Sequence, residues 1–155
     1  MEIANASIRD IGPLRRLEAA CFQRDAWSLF DLVAVLTWPD VIRLKAVEGN
    51  EMIGFVAGEL RASQGWAWIA TIAVDPRYRR RGFGRELLRA CERRLRLPQV
   101  RLTVRMSNTA AIQLYESEGY QTLEIWHRYY NDGEDAVVMQ KELPAGATRA
   151  AMTGA

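Results

Sequence analysis

The chain contains 155 residues, of which 49% are hydrophobic and 26% are charged, and its formal net charge is +2. This composition is typical of a soluble globular domain, and the small net charge excludes a polyanion-binding function that depends on overall charge. The sequence has no apolar run long enough for a membrane span, no secretory signature at its N-terminus, two distant cysteines and one histidine, so we expect a cytoplasmic protein without a metal site.

Hydrophobic periodicity predicts an alternation of strands and helices. Strands are predicted over residues 2–8, 41–48, 52–62, 66–74, 100–104, 120–129 and 135–143. Helices are predicted over residues 10–22, 28–36, 83–97 and 108–118, with N-cap residues Asp10, Ser28 and Asn108. Because a helix separates them, the fourth and fifth strands are predicted to run parallel. We predict one domain over residues 1–143 and, from its Ala, Gly and Thr content, a disordered tail over residues 144–155.

A loop rich in arginine and glycine follows the fourth strand and leads into the third helix. Its residues are Arg79, Arg80, Arg81, Gly82, Phe83 and Gly84. Backbone N–H groups at a helix start lack helical partners and carry the positive end of the helix dipole, and glycines let that backbone approach a ligand closely. The loop therefore predicts a pyrophosphate-binding site. The alternative is a glycine-containing helix start whose basic face is only solvated.

The spacing within this loop distinguishes between known phosphate-binding motifs. A Walker loop requires Gly-Lys-Ser/Thr, but Arg85 follows the second glycine, and a dinucleotide fingerprint requires a small residue where Leu87 stands. The remaining pattern, Arg79-x-x-Gly82-x-Gly84, resembles the Q/R-x-x-G-x-G/A motif of the GCN5-related N-acetyltransferases (GNAT). Members of that family use the motif to bind the pyrophosphate of acetyl-CoA.

The order of the predicted elements is also similar to that of the GNAT family. The resemblance implies an α/β (α+β) fold with four helices and a mixed, mostly antiparallel sheet of about seven strands, in which strands four and five form a splayed parallel pair. It implies acetyl-CoA as cosubstrate and no metal. It further implies that the backbone of Ile72, Ala73 and Val74 pairs with the pantetheine arm of the cofactor.

The fourth predicted helix carries a segment that closely resembles a second GNAT motif. Asn108, Ala111, Leu114, Tyr115 and Gly119 match the N-x-x-A-x-x-L-Y-x-x-x-G pattern. The resemblance implies that Asn108 contacts the cofactor and that the Tyr115 hydroxyl lies near its sulfur. A phenol with a pKa of about 10 can hydrogen-bond or protonate a leaving thiolate whose conjugate acid has a pKa of about 8.5. We therefore predict Tyr115 as the catalytic acid, against the alternative of a half-buried aromatic with a packing role.

The last predicted hairpin resembles that of protein N-terminal acetyltransferases, including the RimI-type enzymes. The sequence YYNDGEDAVVM, which begins at Tyr129, matches their Y-Y-x-x-G-E-D-A-x-x-M segment. A segment ending in Trp27 and a serine is similar to their F-x-x-P-W-S loop, with Ala26 in place of the proline. The resemblance implies that Trp27, Tyr129 and Tyr130 line a slot for the first residues of an acceptor peptide, where phenols supply contact area and hydrogen bonds.

One position departs from the RimI-type pattern. These enzymes commonly read L-E-V-R with the Glu as proposed general base, whereas this chain has Thr103 in that place. Asp25, Glu59, His127 and a water molecule are the candidate replacements. A lysine ε-amine, with a pKa of about 10.4, depends strongly on a base, while an α-amine, with a pKa of about 7.7–8.0, is already partly neutral. The departure therefore favours an α-amino acceptor.

These patterns predict an acetyl-CoA-dependent N-acetyltransferase that acts on the α-amine of a protein or peptide N-terminus by direct attack on the thioester. Two alternatives stay open: a small-molecule amine acetyltransferase of the same fold, and a CoA-binding regulatory module with weakened catalysis. Nucleic-acid binding by the nine arginines between Arg77 and Arg96 is disfavoured, because half of them lie on the outer face of a helix. We expect no membrane partner, and a monomer or homodimer.

Overall fold

A computed structural model of the protein describes residues 1–144. Its strands are β1 (Glu2–Asn5), β2 (Val41–Glu48), β3 (Glu51–Arg61), β4 (Trp66–Val74), β5 (Gln99–Arg105), β6 (Gln121–Trp126) and β7 (Ala136–Glu142). Its helices are α1 (Ile11–Cys21), α2 (Leu29–Thr37), α3 (Phe83–Leu95) and α4 (Thr109–Ser117). Each predicted strand and helix is therefore present, with ends that shift by a few residues.

The strands form one seven-stranded sheet in the order β1-β2-β3-β4-β5-β7-β6. The pairs β1–β2, β2–β3, β5–β7 and β6–β7 are antiparallel. Strands β4 and β5 are parallel, with residues 66–68 opposite residues 99–101. The predicted α+β architecture, with its mostly antiparallel sheet and one parallel pair, is confirmed.

The chain contains two compact units, and β4 passes from one to the other between Ile69 and Ala70. The first unit comprises Met1–Leu60 and Ala70–Leu95. Its main apolar cluster joins α1, α2, β3 and β4 through Leu14, Leu17, Leu32, Val35, Leu36, Phe55, Ala57 and Ala73. A Cβ on Gly54 of β3 would lie 2.7 Å from Leu87 Cδ1 and 3.2 Å from the Ala73 carbonyl oxygen. Only glycine permits this close approach of β3 to α3.

The second unit comprises Arg61–Ile69 and the chain from Arg96 onward. Strand β5 alternates between buried and partly exposed residues, and its buried face consists of Val100, Leu102 and Val104. Strand β7 contributes the buried residues Val137, Val138 and Met139. Helix α4 ends at Ser117, and Gly119 follows its C-cap residue Glu118 with a φ of +97°, a left-handed conformation that favours glycine.

The N-terminal elements differ in detail from the prediction. Strand β1 ends at Asn5 because Ser7 caps a 3₁₀ turn over Ile8–Asp10 that leads into α1. Asp10 occupies the N-cap position of α1, but its side chain makes no capping bond there. It instead accepts the Ser7 N–H at 2.8 Å and pairs with Lys45 Nζ at 2.8 Å. The predicted capping role of Asp10 is therefore wrong, because Ser7 and Asp10 form a capping box one turn earlier.

The other two predicted caps are confirmed. The Ser28 hydroxyl accepts the Asp31 N–H, and the Asn108 side chain accepts the Ala111 N–H. Within residues 1–144, no helix combines the length and apolar character that crossing a membrane requires. The same residues contain no group of three or more His, Cys, Asp or Glu side chains arranged to hold a metal. Apart from Pro144, the predicted disordered tail lies outside the described residues.

Candidate functional site

The predicted pyrophosphate loop, residues 79–84, adopts a turn with alternating handedness. Arg80 has a φ of +64° and Gly82 a φ of +80°, and α3 begins at Phe83. A Cβ on Gly82 would meet no heavy atom within 4 Å, so the space above this backbone is open. Gly84 lies in the first turn of α3, whose leading N–H groups have no helical carbonyl to bond. This geometry fits an anion held by backbone N–H groups.

Three arginines in and next to this loop make contacts within the protein. Arg79 Nε donates to the Val74 carbonyl oxygen at 3.2 Å, which ties the loop to the end of β4. Arg77 pairs with Asp75 at 2.9 Å and also with Glu51, and it lowers the pKa of Asp75. Arg81 lies 5.3 Å from the centre of the Tyr78 ring. The positive charge offered to a ligand therefore comes mainly from the loop itself, because Arg77 is balanced by acids.

The C-terminal end of β4 consists of Ile72, Ala73 and Val74, which lie beyond the residues that pair with β5. The Val74 carbonyl oxygen already accepts from two donors, Arg79 Nε and Cys21 Sγ, the latter at 3.3 Å. Ala73 is buried in the core of the first unit. Pairing of this backbone with a pantetheine arm stays a prediction, and it would use groups other than the Val74 carbonyl.

Tyr115, the predicted catalytic acid, lies on α4 and is 7% exposed. Its ring centre is 5.8 Å from that of Tyr120. Burial raises the pKa of the Tyr115 hydroxyl to about 12, and Tyr130 adds to this shift. A phenol with such a pKa keeps its proton throughout the neutral range. Asn108 starts the same helix, and its cap uses only the amide oxygen, so its amide nitrogen is a separate donor for a ligand.

A row of aromatic rings, which we call the aromatic wall, runs through the second unit. It consists of Trp66, Trp68, Trp126, Tyr129 and Tyr130. The centres of successive rings are 5.2, 5.8, 5.4 and 5.0 Å apart. The predicted pair Tyr129 and Tyr130 is thus one end of a larger surface. The sequence pattern did not predict the three tryptophans as part of it. Trp66 and Trp68 lie on β4, far from the hairpin in the chain, and Trp126 lies on β6, a strand of the hairpin itself.

Arg105 fastens the tyrosine end of the aromatic wall to β5. Its Nη1 lies 2.9 Å from Asp132 and 2.8 Å from Glu134, and its guanidinium lies 4.2 Å from the centre of the Tyr130 ring. Glu134 also accepts the Ser107 N–H at 2.7 Å. Hydrogen bonds from Ser107 and Arg105 lower the pKa of Glu134 to about 2. This ion-pair network fixes the loop before β7 and was not predicted from the sequence.

Thr103 lies on β5 at the position where RimI-type enzymes carry the Glu. Strand alternation places it on the same face as Arg101 and Arg105, opposite the buried Leu102 and Val104. That face is the one that carries the aromatic wall, since the Arg101 guanidinium lies 4.4 Å from the centre of the Trp66 ring.

The three candidate bases have different surroundings. The His127 side chain is 80% exposed, and its Nδ1 lies 3.2 Å from Asp135 at the surface of the hairpin. Asp25 lies in the segment 22–28 between α1 and α2, and Glu59 lies on β3; both are partly buried in the first unit. His127 is thus the most exposed of the three.

Trp27 lies in the same segment, residues 22–28, which we call the acceptor loop. Its side chain packs against the apolar cluster of the first unit. The loop ends in a capping box, in which the Ser28 hydroxyl accepts the Asp31 N–H and Asp31 accepts the Ser28 N–H. The backbone N–H of Trp27 donates to Glu18 on α1, a residue that the sequence did not single out. The sequence did carry one sign of this role: Glu18 is an acidic residue directly after Leu17, on the apolar face of α1.

We compared the chain with protein families, with curated proteins and with solved structures. Residues 12–120 match the acetyltransferase (GNAT) family, which is more than half of the chain. The chain belongs to the GNAT acetyltransferase family. It is therefore an N-acetyltransferase enzyme of this family, and its seven strands, four helices and parallel β4–β5 pair are those of the GNAT fold.

Two relatives of this N-acetyltransferase are similar over more than half of its length. The chain is 32% identical over 121 residues to the N-terminal acetyltransferase B complex catalytic subunit NAA20 of Arabidopsis thaliana, which covers 74% of this chain and 69% of the relative. It is 47% identical over 104 residues to the [ribosomal protein bS18]-alanine N-acetyltransferase of Escherichia coli, covering 63% and 69%.

Solved structures agree with the fold. The crystal structure of the ribosomal-protein-S18-alanine N-acetyltransferase from Escherichia coli superposes with a TM-score of 0.83 at 29% identity, covering 91% of this chain and 92% of that chain. Arabidopsis thaliana NAA60 in complex with acetyl-CoA superposes with a TM-score of 0.80 at 20% identity, covering 92% and 98%, and supports the fold alone.

Proposed function

We propose that this enzyme transfers an acetyl group from acetyl-CoA to the α-amine of a protein or peptide N-terminus. The observation that carries the proposal is its similarity, at 32% and 47% identity, to two enzymes named for N-terminal or N-alanine acetylation of proteins. The aromatic wall supplies aromatic surface of the kind that binds extended peptide backbone. Trp27 of the acceptor loop is assigned to the peptide slot as well.

The described residues fit the proposed cosubstrate. The loop 79–84 combines a left-handed turn at Gly82, open space above it and a helix N-terminus, which together suit a pyrophosphate. In the first unit, the backbone of Ile72 and Ala73 would pair with the pantetheine arm. In the second unit, Asn108 is the proposed cofactor contact. When bound, acetyl-CoA supplies an acetyl thioester whose carbonyl carbon the amine attacks, with the CoA thiol as the leaving group.

The buried Tyr115 hydroxyl would hold a proton for the leaving sulfur. Burial raises its pKa to about 12, above that of an ordinary thiol at about 8.5. Tyr115 is accordingly better suited to donate a strong hydrogen bond as negative charge develops on sulfur than to lose its proton early.

The absence of a carboxylate at position 103 favours an acceptor that needs little help to lose a proton. Thr103 has no basic form near neutral pH. An α-amine with a pKa of about 7.7–8.0 is partly neutral at pH 7.5, whereas a lysine amine is almost fully protonated. The proposed acceptor is therefore an N-terminal amine rather than an internal lysine.

A peptide panel tests this function. Each peptide is offered with acetyl-CoA in two forms, one with a free N-terminus and one blocked at the N-terminus but carrying an internal lysine, and the acetylated products are located by mass spectrometry. We expect acetylation of the free N-termini alone, and the Tyr115→Phe variant serves as the impaired control. Acetylation of blocked peptides at lysine would contradict the proposal. Turnover of small primary amines but no peptide would favour the small-molecule alternative, and binding of acetyl-CoA without turnover of any acceptor would favour the regulatory module.

A further inference from the structure

Glu18 is a carboxylic acid enclosed in the apolar core of the first unit. It lies on the inner face of α1, next to Leu17 and one turn after Leu14, and it is 2% exposed. Carboxylates are rarely buried to this extent, because removing the charge from water is costly unless the group is well paired. Because burying this carboxyl costs free energy, we ask what the buried carboxyl does in the first unit.

The contacts of Glu18 join three parts of the first unit. The Thr71 hydroxyl on β4 donates to Oε1 at 3.2 Å, and the backbone N–H of Trp27 in the acceptor loop donates to the same carboxyl group. Oε2 is fully buried and has no hydrogen-bond partner among the described residues. The carboxyl therefore links α1, β4 and the acceptor loop while half of its bonding capacity is unused.

The charged groups around Glu18 come from α1 and from the end of β4. On α1, the Cys21 thiol interacts electrostatically with Glu18. After β4, Asp75 and Arg79 interact with that same thiol. Strand β4 itself presents Thr71, and the acceptor loop presents a backbone N–H. The two donors that bond Glu18 directly are thus neutral, and their bonds strengthen when the carboxyl carries a charge.

We propose that Glu18 is a positioning residue that holds the acceptor loop against β4, so that the hold on the acceptor peptide depends on the ionisation of this one carboxyl. The inference rests on the proposed function, which assigns Trp27 to the peptide slot. In the ionised form, the bonds from Trp27 and Thr71 are charge-assisted and fix the loop. In the neutral form they weaken, and the loop samples more positions before a peptide binds.

The expected consequence is a pH-dependent affinity for the peptide. Desolvation raises the pKa of Glu18 to about 7, so the change should fall between pH 6 and pH 8. Since charge-assisted bonds are roughly twice as strong as neutral ones, we expect peptide affinity to fall about 5-fold from pH 8 to pH 6. The Glu18→Gln variant has a neutral side chain at every pH, so its affinity should stay near the low-pH value of the wild type.

The test uses a ligand that does not itself titrate. A peptide whose N-terminus is already acetylated, and which has no ionisable side chains, is titrated into the whole protein with CoA present, and its dissociation constant is measured by calorimetry from pH 5.5 to pH 8.5. The Glu92→Gln variant, which alters another buried carboxylate on α3, is the matched control and should keep the wild-type pH dependence. Thr71→Val should weaken binding at pH 8, and Thr71→Ser should restore it.

The outcomes separate the inference from the proposed function. A wild-type dissociation constant that rises toward low pH, with a flat profile for Glu18→Gln, supports the positioning role. Parallel profiles for wild type and Glu18→Gln overturn it, even if free N-termini are acetylated. If no free N-terminal peptide is acetylated at any pH, the proposed function fails first, and the inference fails with it.

Discussion

Replacing Glu18 with glutamine should change how the stability of this N-acetyltransferase depends on pH. Burial raises the pKa of this carboxyl from 4.5 to about 7 in the folded protein. Because the folded state binds the proton more tightly, the stabilising contribution is full below pH 4.5 and is lost as the pH rises through about 7. A shift of about 2.5 units corresponds to about 3.4 kcal/mol in total, of which about 2.5 kcal/mol is lost between pH 5 and pH 8.

The variant lacks this titration, so it should gain stability relative to the wild type as the pH rises. Urea unfolding followed by circular dichroism at pH 5 and pH 8 measures both free energies of unfolding. The difference, variant minus wild type, should increase by about 2.5 kcal/mol, or about 5–10 °C in Tm for a chain of this size. A difference that is the same at both pH values would show that Glu18 ionises normally in the folded protein and would refute the raised pKa of its carboxyl.

Four other substitutions follow from the site and the core. Gly84→Asp should abolish the thermal stabilisation of the protein by acetyl-CoA, because a carboxylate enters the pyrophosphate loop; undiminished binding in calorimetry would defeat this assignment. Tyr115→Phe should lower kcat by about 10²-fold or more with little change in the acetyl-CoA KM, and an unchanged kcat when chemistry limits the rate would rule out its role. Thr103→Glu should raise the rate at pH 6–7 more than at pH 9, since Arg101 and Arg105 on the same face favour the ionised carboxylate; equal pH–rate profiles of the two forms would count against a missing base. Gly54→Ala should destabilise the protein by about 1–3 kcal/mol in urea unfolding, because its Cβ would meet Leu87 at 2.7 Å, and a loss well below that range would mean that the core adjusts easily.

The local elements of this fold could be predicted because each one carries its own signal. Ser28 and Asn108 cap the helices that follow them, and the alternation along β5 is visible in the sequence. The error at Asp10 arose where two capping signals stand three residues apart, since both Ser7 and Asp10 are good N-cap residues. In the folded protein, Asp10 pairs with Lys45 on β2, a contact that the sequence alone does not show.

The candidate site was predictable only where its residues are close together in the chain. The loop 79–84 and the segment around Tyr115 are contiguous motifs, so a pattern of residue types was enough to find them. Glu18 and Thr71 are 53 residues apart, and Arg105 and Asp132 are 27 apart. Such contacts depend on how the strands pair and on which face each side chain occupies, which spacing along the sequence does not specify.

The two cysteines have a practical consequence for measuring this enzyme. Burial raises the pKa of the half-buried Cys21 thiol, and it raises the pKa of the fully buried Cys91 thiol to about 12. Since the thiolate is the reactive form, both side chains should react slowly with electrophilic dyes at pH 8. The free CoA released at each turnover carries an unhindered thiol and should react at once. A disulfide-exchange dye can therefore follow acetyl transfer continuously in the native protein, with little background signal from the enzyme itself.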